Sequence, residues 1–112
     1  MKHPNKKTLL SAMLLAGIGF SGQTLALDGK AIYNNPAKGG CPACHGKDAK
    51  SPMAAMNAPK LAGQMEKYLL QQMKDIKSGA RNNGNTAAMK GVMGMINENE
   101  MAAVAKYLSG LK

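Results

Sequence analysis

Cys41-Pro42-Ala43-Cys44-His45-Gly46 decides how this chain folds. The stretch holds both cysteines of the 112-residue sequence, with two residues between them and a histidine directly after the second. A disulfide across so short a loop would restrain the unfolded chain little, because that restraint grows with loop length. A structural zinc site needs four ligands, but the other histidine, His3, lies at the start of the chain and no Asp or Glu cluster stands nearby. A thioredoxin-like redox pair needs a βαβ setting, and no flanking stretch alternates as a strand would. These thiols are therefore placed for chemistry rather than for stapling.

Cys-x-x-Cys-His is the attachment signal of c-type haem. Two thiols three positions apart on a helical turn can reach both vinyl groups of the ring and form thioethers, and His45 then projects toward the iron. One covalent haem c with its iron is the expected cofactor, held by Cys41 and Cys44 and ligated by His45.

N-terminal to the motif, the first 26 residues have the parts of a cleaved secretory signal. These are a basic start (Lys2, Lys6, Lys7), an apolar run from Leu9 to Phe20 and a small-residue exit at Thr24-Leu25-Ala26. The run is 12 residues long and contains Ser11, Gly17 and Gly19, too short and too polar for a membrane span of about 20 residues. Cleavage after Ala26 and export to the periplasm are expected, without stable membrane insertion. The remaining segment, 27–112, is expected to form one domain of 86 residues, a size at which a core of side chains alone is marginal. Its aromatics are Tyr33, Tyr68 and Tyr107, with no Trp, so a large flat prosthetic group would supply the missing bulk.

The signal takes with it three of the 15 basic residues and none of the six acidic ones, leaving an excess of six positive charges. Export and the presence of a single arginine, Arg81, argue against nucleic acid as the partner; an acidic protein surface or plain solubility both fit.

Local patterns predict an all-α fold of four or five short helices. Leu27 to Asn34 reads as a first helix capped by Asp28, with Ala31 and Ile32 facing inward. Gly46 to Pro59 is a long irregular stretch of the kind that wraps a ligand. Met65, Tyr68, Leu69, Met73 and Ile76 fall on one helical face, closed by Ser78-Gly79. Ala87 to Met95 is irregular or briefly helical. Asn97 with Glu100 forms a capping-box variant ahead of a terminal helix whose inward stripe is Met101, Val104, Ala105 and Leu108.

In sequence the chain resembles the class I cytochromes c, above all the small soluble bacterial ones and the single domains of their two-haem relatives. The residues that carry the likeness are Cys41 to Gly46, then Ala58-Pro59-Lys60-Leu61-Ala62-Gly63-Gln64, Tyr68-Leu69 and Gly79-Ala80-Arg81. A Met-containing loop and Lys106-Tyr107-Leu108 in the terminal helix complete the set. Asn97-Glu98-Asn99-Glu100 departs from the family's usual Ser-Asp-Glu-Glu while keeping the cap.

The resemblance implies the class I cytochrome c fold around one haem and a methionine as sixth iron ligand. Met89, about eight residues before Asn97, stands at the family spacing; Met93 one turn later is the alternative, and Met95 lies in the same segment. Met53 and Met56 are too near the histidine in the family layout. It also implies that the Pro59 carbonyl accepts a bond from the second nitrogen of His45, that Tyr68 lines the haem crevice, and that Tyr107 packs on the first helix.

The function so implied is one-electron transfer by a periplasmic, monomeric carrier of a respiratory chain, not an enzyme. Lys38, Lys47, Lys50, Lys60 and Lys90 fall in segments expected near the haem rim, which suggests a steering ring for redox partners with acidic docking surfaces. Two other readings remain open. The chain could be a relay subunit of a larger exported oxidoreductase, or a haem sensor or peroxidase-like enzyme if the methionine is labile.

Overall fold

Asp28 accepts a hydrogen bond from Ala31 N (3.2 Å) and so starts α1, Gly29–Asn34. A computed structural model describes residues 27–112, and the expected signal segment lies outside them. Four more helices follow: α2, Pro42–His45; α3, Glu66–Ser78; α4, Thr86–Met93; and α5, Glu98–Ser109. Single 3-10 turns occupy Pro36–Lys38 and Ala54–Met56, and the described residues contain no strand. The all-α expectation holds.

The frame is α5, against which α1 and α3 both pack, with α4 laid on α3. Its cap is the anticipated one, with Asn97 Oδ1 accepting from Glu100 N (2.8 Å) and Glu100 Oε1 accepting from Asn97 N (3.0 Å). Two orphan donors are thereby satisfied at once. The stripe of Met101, Val104, Ala105 and Leu108 is buried as read from the sequence.

The inward face of α1 differs from the expectation. Ala31 is exposed and Ile32 half-buried, while Gly29 and Tyr33 are buried. Gly29 lets α1 approach α5 until a Cβ there would stand 2.1 Å from the Ala103 carbonyl oxygen. One turn on, Tyr33 meets Tyr107 with ring centroids 5.9 Å apart, as anticipated for Tyr107.

The face of α3 is also shorter than its periodicity suggests. Leu69, Met73 and Ile76 are buried, but Met65 is 73% and Tyr68 49% exposed. Met65 is extended at the N-cap, outside the helical register, and Tyr68 stands at a cavity rather than between helices. No described helix is long and apolar enough to cross a membrane.

Candidate functional site

Cys41 is the N-cap of α2 and Pro42 its first residue, a position where the missing N–H costs nothing. This single turn puts Cys41, Cys44 and His45 on one side of the chain. It ends at Gly46, whose φ of 90° and close approach to the Ser51 backbone leave no room for a side chain. Tyr33 Oη donates to Gly46 O (2.6 Å) and Met53 N donates to Cys44 O (2.7 Å), so the turn is pinned from α1 and from the loop that follows. That loop folds back on itself at Ala49, whose carbonyl accepts from both Leu61 N (2.9 Å) and Ala62 N (3.1 Å).

Cys41, Cys44 and His45 open onto a cavity of about 380 Å³. Its far wall is formed by Leu69, Gln72 and Met73 of α3 and by Met89, Val92 and Met93 of α4. Pro59 and Tyr68 also stand on its wall.

His45 is 4% exposed. Its Nδ1–H donates to Pro59 O (2.9 Å); a carbonyl can only accept, so this bond fixes the proton on Nδ1. Burial lowers the imidazole pKa, opposed in part by the Pro59 bond, so the ring is neutral near pH 7 and Nε2 carries a free lone pair. That Nε2 is buried without a hydrogen-bond partner. An orphaned buried acceptor is costly, and a metal ion is a group that would satisfy it.

Both cysteines are half-buried and are not joined to each other as a disulfide. Burial raises the Cys41 pKa, and neighbouring Cys44 raises it further. No group of three or more His, Cys, Asp or Glu that could hold a metal ion by itself occurs among the described residues. Two thiols, one lone pair and an apolar-walled cavity fit an iron porphyrin attached by thioethers, and they do not fit a bare zinc ion.

The three candidate methionines separate. Met89 is half-buried on the cavity wall; Met93 is on the wall too, but 2% exposed within the core. Met95 lies beyond α4, 54% exposed and off the wall. Met56 also reaches the wall, from the histidine side, and Met53 does not. None of the five expected rim lysines lines the cavity. Lys38 is tied to Glu100 (2.9 Å), while Lys47, Lys50, Lys60 and Lys90 are exposed and form no ion pair with the described residues.

Sequence reasoning gave no site role to Tyr33, buried on the cavity wall and bracing Gly46, nor to Arg81 and Asn85, which also line the cavity. Asn85 Nδ2 donates to Met56 O (2.8 Å), joining the turn after α3 to the loop that carries Pro59. The signals available for Arg81 were that it is the single arginine and that it stands in the family-like stretch Gly79-Ala80-Arg81.

A small helical protein with a thiol pair and a ligating histidine turned onto one cavity belongs to the class that binds haem covalently. The family model for cytochrome c matches residues 26–112, and the chain belongs to the cytochrome c family. It is 40% identical over 103 residues to cytochrome c4 of Pseudomonas aeruginosa, covering 92% of this chain and 48% of that one. It is 39% identical over 104 residues to a thiosulfate dehydrogenase electron acceptor of Stutzerimonas stutzeri, covering 87% and 46%. With cytochrome c-554(548) of Halomonas halodenitrificans it shares 33% identity over 81 residues, 72% of this chain and 95% of that one. The chain thus spans about half the length of the cytochrome c4 relatives and resembles one domain of a two-haem cytochrome c4. Its cofactor is covalent haem c, and its Cys41 and Cys44 fit the attachment motif.

Proposed function

We propose that this chain is an exported periplasmic one-electron carrier. In this reading Cys41 and Cys44 would hold haem c through two thioethers, and His45 Nε2 and Met89 would be the groups that ligate its iron. The observation that carries it is the buried, unpartnered Nε2 of His45, held toward the cavity by the bond from Nδ1 to Pro59 O. A hydrogen-bonded second nitrogen fixes the ring and raises its basicity as a ligand. Met89 is favoured over Met93 because its side chain is half-buried at the cavity, whereas Met93 is packed into the core.

Haem c bound here would supply an iron that alternates between ferrous and ferric states. Held by both His45 and Met89, such an iron would have no position left for a substrate, which suits electron transfer and not substrate activation. The protein's share is to hold both ligands in fixed positions, to exclude water from the cavity and to leave the cysteine edge near the surface. Pro59 orients the histidine, and Tyr68 stands on the cavity wall. A start of the domain near residue 26, where the family match begins, supports removal of residues 1–26 as a signal. The exposed Lys47, Lys50, Lys60 and Lys90 give a monomer a basic surface for redox partners with acidic docking patches.

The absorption spectrum of the purified haem-loaded protein tests this. The expected result is c-type bands together with the weak long-wavelength ferric band of methionine sulfur on iron. Haem bands without that feature, together with carbon monoxide binding to the ferrous form, would transfer the site to a sensor or peroxidase-like role.

A further inference from the structure

Lys77 lies in the last turn of α3, off the cavity wall. Its Nζ donates to Ile96 O (2.6 Å), a bond that joins α3 to the short link between α4 and α5. Ile96 is 3% exposed in the core, and Lys77 is the only donor to its carbonyl among the described residues. The Ile96 N–H serves Met93 O (3.4 Å) and the Met95 N–H serves Val92 O (2.9 Å), so the link curls back onto the end of α4. Glu100, at the start of α5, is held below the usual glutamate range first by Asn97 N, then by Lys38, and by the charge of Lys77 as well.

A lysine ammonium is strongly hydrated, and its long stem loses rotamer freedom when held in one geometry. Lys77 forms no ion pair with the described residues, so the Ile96 carbonyl is what holds it. A charged donor makes a stronger bond than a neutral one. Its loss would leave that carbonyl without a partner from the protein. The other contacts that seat this end of α4 are apolar: Val92 lies against Gly39, and Met93 and Ile96 pack in the core. Contacts of that kind have no direction and weaken gradually on displacement. The directional tie at the C-terminal end of α4 is therefore Lys77, as Asn85 bound to Met56 O is at the other.

We propose that Lys77 is a positioning residue for the methionine wall. Its bond to Ile96 O pins the end of α4 to α3 and so keeps Met89 in place against competing ligands; the inference rests on the reading above in which Met89 ligates the iron. An outside ligand can bind only where the methionine has left, and its apparent affinity scales with the fraction of molecules in that state.

Titration of the ferric haem-loaded protein with imidazole is the test, read by loss of the long-wavelength methionine band. Lys77→Met keeps the apolar stem and removes the charged donor. Imidazole should bind it about threefold to tenfold more tightly than wild type, the range that one net hydrogen bond is worth. Lys77→Arg, with a charged donor on a stem of similar length, should recover most of the wild-type resistance. Lys74→Met, one turn earlier, removes the same charge but only a 3.9 Å contact with exposed Glu98, and should bind imidazole as wild type does. Wild-type affinity in Lys77→Met overturns the proposal, as does an Arg variant no better than Met or an equal effect in Lys74→Met. A crystal structure of the wild-type haem-loaded chain gives a check without variants: Nζ within hydrogen-bonding distance of Ile96 O supports the assignment, and a lysine turned to solvent overturns it. A wild-type protein without the methionine band would overturn the Met89 reading and this proposal with it. A band that is present, with Lys77→Met indifferent, overturns the proposal alone, so the two failures are distinguishable.

Discussion

The two walls of the cavity are held by different physics. On the histidine wall the chain is irregular from Gly46 to Met65 apart from one 3-10 turn, and named donors occupy its carbonyls. Tyr33 serves Gly46, Met53 serves Cys44, Leu61 and Ala62 serve Ala49, and His45 serves Pro59. On the methionine wall α4 satisfies its own backbone and is fixed mainly by side-chain volume, with Met93 and Ile96 in the core. A hydrogen-bonded wall tolerates little displacement before a buried carbonyl loses its partner. A wall held by packing yields more gradually, so the methionine is the softer of the two proposed ligands.

The largest expected effect breaks the methionine wall. Met93→Ala should cost about 2–5 kcal/mol of stability by opening a cavity in the core, read by denaturant unfolding of the haem-loaded protein. Its long-wavelength ferric band should survive. Met89→Leu, which roughly conserves volume and keeps the packing, should abolish that band while c-type bands persist. The reverse pattern would make Met93 the ligand.

A smaller loss is expected on the other wall. Tyr33→Phe removes one of the two donors to Gly46 O, the other being Ala49 N (3.2 Å), while leaving the ring on Tyr107, and should cost about 0.5–1.5 kcal/mol, the usual net worth of a single hydrogen bond. The same unfolding measurement checks it. A neutral result would mean that water replaces the hydroxyl and that the turn around His45 is less constrained than its hydrogen bonds imply.

How much of this was readable beforehand follows the same division. The Cys-x-x-Cys-His motif, the Asn97–Glu100 capping box and the stripe on α5 are local patterns whose chemistry depends on spacing alone, and all three appear where the sequence put them. The face of α1 was misread because six residues carry too few positions for a periodicity. Its decisive residue, Gly29, matters through close approach to Ala103, which no hydropathy pattern encodes. Met65 was misassigned because hydrophobic offsets continue across an N-cap even where the helix does not. The ties from Tyr33 to Gly46 and from Asn85 to Met56 join positions 13 and 29 residues apart, and such pairings depend on the folded path.

The smallest effect concerns the frame behind both walls. Glu100 at the start of α5 accepts from Asn97 N and pairs with Lys38, which follows α1, and these contacts hold its carboxyl below the usual glutamate range. A folded-state pKa depressed in this way gives stability that is fully present above the unfolded value, about 4.3. That stability is lost as pH falls through the lower folded value. Glu100→Gln retains a side chain able to complete the capping box but removes the charge. It should therefore be less stable than wild type near pH 7, with the gap closing as pH falls below the unfolded value and through the lower folded one, until the wild-type carboxyl is itself protonated. Asp48 is the control from the histidine wall. Hydrogen bonds from Lys50 N and Ser51 N lower its pKa as well, so Asp48→Asn should narrow its own gap over the same acid range. If the gap between Glu100→Gln and wild type stayed constant down to pH 3, the Lys38 pairing would contribute nothing through charge. The link between α1 and α5 would then rest on packing, with Gly29 and the two tyrosines at its centre.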